Sequence, residues 1–87
     1  MLRNLMEDIV SDALPSVLRK YPEVCTCTKC IIDIKAIALN NLKPQYTATE
    51  NGEVYIKALN ELDLQFKSDV TKELSHAIEI VSKNPRH

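Results

Sequence analysis

The chain has a single glycine, Gly52, and no tryptophan, and its aromatic residues are three tyrosines and one phenylalanine among 87 positions. One glycine cannot build a phosphate-cradling loop or a dinucleotide fingerprint, each of which needs several. Excess charge of either sign is also missing: 11 Lys+Arg stand against 12 Asp+Glu, for a formal net charge of −1. Direct nucleic-acid binding and attachment to anionic membranes both need a cationic field, so neither is expected. No apolar run approaches the roughly 18–20 residues that span a bilayer. At the amino terminus, Glu7 and Asp8 fall where a secretory signal would keep an unbroken apolar stretch, which points to a cytoplasmic protein. No nucleophile elbow, HExxH or other nucleophile-base constellation is visible, and no enzyme is expected.

What is present fits one small soluble domain spanning 1–87, with 45% hydrophobic and 26% charged residues. A domain of this size has a thin core and is commonly reinforced by a metal, a disulfide or a second subunit. Leu2, Leu5, Met6, Ile9, Val10, Ala13, Leu14, Val17 and Leu18 advance in three- and four-residue steps and predict an amphipathic first helix. Pro15 removes a hydrogen bond to Ser11, yet the apolar phase continues past it. Tyr21-Pro22 disfavours helix and opens a connector to Cys27. A second helix is predicted from Lys29 to about Asn41, with Thr28 as its N-cap and apolar residues around much of its circumference, as a central helix would have. After Pro44, the Asn51-Gly52 pair between Gln45–Thr49 and Val54–Ile56 reads as a short hairpin or an irregular loop. Leu59, Leu62, Phe66, Val70, Leu74, Ala77, Ile78 and Val81 then predict one long third helix, too long to be covered by so small a core and therefore calling for a partner. The expected fold is all-α, with about three main helices and a loop or hairpin between the second and the third.

All three cysteines lie in Cys25-Thr26-Cys27-Thr28-Lys29-Cys30, just before and inside a predicted helix start. Helix amide groups favour thiolate there, and thiolates suit zinc, with His76, His87, a group across a dimer or water as fourth ligand. Plain reduced thiols and a redox pair at Cys27 and Cys30 remain alternatives. Asp33 and Asn40 interrupt the second helix on a similar side, so they face solvent, hydrogen-bond within the fold, or meet a ligand. Tyr46 and Tyr55 offer flat faces and Lys35, Lys43 and Arg86 offer cations, the ingredients for holding a small phosphorylated purine, although solvated surface residues look the same.

Four segments taken together resemble the late competence development protein ComFB family: Asn4-Leu5-Met6-Glu7-Asp8-Ile9-Val10, the cysteine cluster, Asp33 to Tyr46 ending in Leu42-Lys43-Pro44-Gln45-Tyr46, and Asn84-Pro85-Arg86-His87. The resemblance covers nearly the whole chain. One departure is Lys43, where the family pattern has a second proline. The resemblance implies a small, mainly helical, cytoplasmic homodimer without known catalysis, associated with bacterial DNA uptake and, in several lineages, with binding cyclic dinucleotides such as cyclic di-GMP or cyclic di-AMP. On that reading Arg86 with Lys35 or Lys43 meets phosphate or a purine edge, Tyr46 stacks, and Asp33 or Asn40 hydrogen-bonds the base. A zinc-stabilised interaction module for a competence or signalling protein, without a nucleotide, is the alternative.

Overall fold

The computed structural model describes residues 2–84. Four helices and two short strands follow in the order β1 (Arg3–Asn4), α1 (Met6–Leu18), α2 (Thr28–Asn40), β2 (Tyr46–Thr47), α3 (Glu50–Glu61) and α4 (Leu64–Lys83). The strands pair antiparallel, Arg3 with Thr47 and Asn4 with Tyr46. The all-α expectation holds, with four helices in place of about three.

Helix α1 buries Met6, Val10, Leu14 and Val17, a four-and-three step that lines one face, and it continues through the exposed Pro15 to Leu18. Its start is fastened by Asn4, whose side-chain oxygen accepts from the backbone N–H of Met6 at 3.0 Å and of Gln45 at 2.9 Å. Helix α2 buries Cys30, Ile34 and Ala38. Thr28 is its first residue, and Cys27, one position earlier, is the N-cap with extended φ/ψ. The wide apolar circumference of α2 is not all enclosed, since Ile32 is exposed.

The region read as a hairpin or loop is helix α3, apart from its first residues. Tyr46–Thr47 pairs with β1 across the domain and not with Val54–Ile56. Thr49 caps α3 by accepting from the backbone N–H of Gly52 at 3.0 Å. Among the described residues no φ is positive, so Asn51-Gly52 forms helix and not a tight turn. Gly52 serves a close approach instead: a Cβ there would stand 3.1 Å from the capping Thr49 hydroxyl.

The long third helix is interrupted at Leu62-Asp63. Asp63 caps α4, accepting from the Phe66 N–H at 3.0 Å, which starts a new helix where a continuous one was expected. The apolar stripe of α4, Val70, Leu74, Ala77, Ile78 and Val81, is buried against α1 and α2 within the same chain. That stripe needs no second subunit. Burying each of its larger side chains contributes about 1.5–3 kcal/mol to stability, and the three helices enclose a single core.

Candidate metal centre

The connector between α1 and α2 and the first turn of α2 bring the three cysteines to one spot, because Cys27 is the N-cap of α2 and Cys30 lies one turn inside the helix, facing the core. Their sulfur atoms all lie within 4.8 Å of one another. Cys25 and Cys27 are open to solvent, while Cys30 is buried. The two ends of the cluster titrate oppositely. At Cys27 the backbone amide of Cys30 lowers the thiol below its ordinary value, and the Cys25 side chain lowers it further. At Cys30 burial raises the thiol to about 12, with the neighbouring Cys27 and Cys25 sulfurs adding to the rise. Such a triangle can hold a soft metal ion, whose charge would favour the thiolate form at all three sites together. Among the described residues no histidine or carboxylate joins the cluster; His76 instead lies 3.9 Å from Glu73 on α4. His87 lies outside the described residues.

The other candidates are less gathered. Asp33 and Asn40 stand on one side of α2, seven positions apart, whereas Lys35 is turned by about 200° from Asp33 and points away from that side. Lys43 is exposed in the segment leaving α2, and Tyr46 follows on β2 with 58% of its surface exposed. Asn40, Lys43 and Tyr46 thus share the stretch 40–46, Lys35 does not converge with Asp33, and Arg86 lies outside the described residues.

A groove of about 420 Å³ opens between α1, α3 and α4, and none of these candidates lines it. Ile9, Val17, Phe66 and Val70 form apolar walls, with Lys57 and Lys67 among its polar residues. Sequence reasoning missed this feature because α3 was read as a loop. The signal that would have revealed it is Thr49 followed by Glu50 and Glu53, an N-cap with acidic residues in the first helical turn.

No described helix is long and apolar enough to cross a membrane. Residues 3–85 match the family model for the late competence development protein ComFB. The competence protein ComFB of Bacillus subtilis (strain 168) is 28% identical over 85 residues, which is 98% of this chain and 86% of that protein. A solved structure described as the structural characterization of the late competence protein ComFB from Bacillus subtilis superposes with a TM-score of 0.83. It is 28% identical in sequence, and the match covers 99% of this chain and 96% of that one.

Proposed function

Because this chain belongs to the competence-associated ComFB family, we propose that it is a non-enzymatic, cytoplasmic, homodimeric receptor or adaptor whose ligand is a cyclic dinucleotide. The observation that carries this reading is the stretch 40–46, in which Asn40, Lys43 and Tyr46 are all exposed on one short segment leaving α2. An amide, a cation and a flat ring meet the needs of a ligand made of purines and phosphates, and this stretch lies within one of the four segments that carry the family resemblance. Arg86 would add a planar cation able to grip phosphate or a guanine edge in bidentate fashion. Two identical subunits suit a pseudo-symmetric ligand, since a two-fold axis offers both nucleotide halves the same contacts. Lys35 is the weakest member of the set, given its turn away from Asp33.

Calorimetric titration with cyclic di-GMP, cyclic di-AMP and linear mononucleotides tests the reading. Saturable binding of a cyclic dinucleotide, with the mononucleotides much weaker, supports it. No heat at high micromolar ligand, with the protein folded, overturns it.

A second reading is favoured by the cysteine triangle: a zinc-stabilised interaction module for a competence or signalling protein, with no nucleotide ligand. Zinc–sulfur bonds of about 2.3 Å at tetrahedral angles set sulfurs about 3.8 Å apart, so side chains already within 4.8 Å need only small rotations. Cys25, Cys27 and Cys30 would hold the ion, which would cross-link the connector to the start of α2. Stoichiometric zinc by mass spectrometry, with thiols masked until chelation, is the expected result; metal-free protein with titratable thiols counts against zinc.

A further inference from the structure

The three sulfurs at the start of α2 differ in access, and the difference divides their roles in thiol chemistry. Cys27 stands exposed at the N-cap, and Cys30, three residues on, is only 1% exposed and sits within the core. The N-cap and the third helical position face each other across the first turn, which is why an N-cap side chain ordinarily reaches the amide of the third residue. Cα atoms one helical turn apart are separated by about 5 Å, inside the range of about 4.4–6.8 Å that a disulfide bridges. The Cys27 and Cys30 sulfurs already lie within 4.8 Å of each other. Rotation of the two side chains therefore suffices to join them, with the helix backbone left in place.

We infer that Cys27 and Cys30 form a reversible disulfide by exchange with a low-molecular-weight disulfide, Cys27 attacking and Cys30 resolving, so that the first turn of α2 is an oxidative modification site. In the first step the thiolate sulfur of Cys27 attacks one sulfur of the external disulfide. That S–S bond breaks, a mixed disulfide forms on Cys27, and one thiol departs with the proton Cys27 has given up. In the second step the Cys30 sulfur attacks the Cys27 sulfur, the mixed disulfide breaks, and the second thiol departs with the proton of Cys30. The chain loses two electrons and two protons, and the external disulfide is reduced to two thiols. Access sets this order: a dissolved disulfide reaches the exposed Cys27 and not the buried Cys30. The internal attack needs no solvent, and a sulfur held beside its target acts at an effective concentration that no dissolved thiol attains. The link consumes two of the three sulfurs of the triangle, so the linked state and the metal-holding state exclude each other. In a reducing compartment such a disulfide is ordinarily transient and serves sensing.

This inference goes beyond the cyclic-dinucleotide reading, which does not use these residues, and adds a means of regulation to the metal reading. Equilibration of the full chain in mixtures of reduced and oxidised glutathione, with a chelator present, tests it. Acid quenching, alkylation of the remaining thiols and fragment mass analysis then locate the links, while circular dichroism follows the helices. A Cys27–Cys30 link should accumulate as the oxidised fraction rises, outnumber the other two pairings at least tenfold, and disappear with dithiothreitol. Cys30→Ala should trap glutathione on Cys27, and Cys25→Ser should keep the link. In guanidinium chloride the preference for Cys27–Cys30 should fall, because no helical turn then holds the pair. A folded chain that stays reduced in every mixture, a link made by Cys25 instead, or the same mixture of pairings in folded and denatured protein overturns the inference. The zinc content of the untreated protein, measured separately, decides the metal reading whichever way this result falls.

Discussion

Gln45 and Asn60 exchange side-chain amide hydrogen bonds in both directions: Asn60 Nδ2 donates to Gln45 Oε1 at 2.8 Å, and Gln45 Nε2 donates to Asn60 Oδ1 at 3.4 Å. The first is well formed and the second is long, and together they tie the segment before β2 to the last turn of α3. The Gln45 backbone is itself fixed to the end of β1 and the start of α1, since its N–H donates to the Asn4 side chain at 2.9 Å and its carbonyl accepts from the Leu5 N–H at 2.8 Å. The position of α3 therefore depends on a polar link to the amino-terminal strand more than on apolar burial.

Removing either amide should loosen α3 and leave the remaining three helices packed. Gln45→Ala and Asn60→Ala are each expected to cost about 0.5–1.5 kcal/mol. The double variant should cost less than the sum, because each single change already breaks the shared pair. Chemical denaturation gives the energies, and hydrogen exchange should show faster exchange along α3 with α2 and α4 unchanged. Fully additive costs would mean that the two amides act separately.

The cysteines should respond to pH in opposite senses in metal-free protein. Cys27 has its thiol lowered in the fold, so folding favours its thiolate; that contribution is present above the ordinary thiol range and is lost as pH falls through the lowered value. Cys30 is raised to about 12, so folding favours its neutral thiol; its contribution is present below the ordinary thiol range and is lost as pH rises toward 12. Alkylation followed by peptide mass analysis should label Cys27 at a lower pH than Cys30, which should react only on unfolding or at high alkalinity. Equal labelling of the two at neutral pH would contradict this assignment.

If the cyclic dinucleotide is bound, Arg86→Ala should weaken it by about 1.5–3 kcal/mol, the range for a hydrogen bond to a charged group, and Arg86→Lys should recover only part because it lacks the bidentate fork. Tyr46→Ala should cost about 1–3 kcal/mol if its ring carries a base. Asn40→Ala and Lys43→Ala report on the same stretch, whereas Lys35→Ala should have the smallest effect. Calorimetry on folded variants checks the order. Equal affinity for Arg86→Ala and wild type would remove that residue from the site.

Sequence periodicity exposed those parts of the fold whose apolar residues face the core. Met6 to Val17 and Val70 to Val81 step at helical intervals because both stripes pack against α2, and their elements could be read directly. Helix α3 escaped because its inward face is Glu53, Ile56 and Asn60, and because Asn51-Gly52 imitates a turn while adopting helical φ/ψ. The break before α4 was hidden for a related reason. Leu59 and Leu62 carry the helical phase forward although both are exposed, and only the cap formed by Asp63 divides the helices. The cysteine triangle was readable since all its members lie within one turn of a helix start. The angle around α2 separates Lys35 from Asp33 by more than half a turn, a relation that nearness in sequence does not display.

Asn4 accepts hydrogen bonds from both Met6 and Gln45 through one oxygen, and the second of these joins residues 41 apart in the chain. Bringing such distant points together in an unfolded chain carries a loop-closure cost that only prior structure can reduce. Once α1 and α2 have folded against each other, their short connector has already brought the two ends within reach, so the strand pairing should close late, after the barrier. Asn4→Ala should accordingly leave the folding rate nearly unchanged and speed unfolding, in the manner of a contact absent from the transition state. The small sheet would then act as a latch: it does not guide the chain to its fold, and it sets how long the folded molecule lasts.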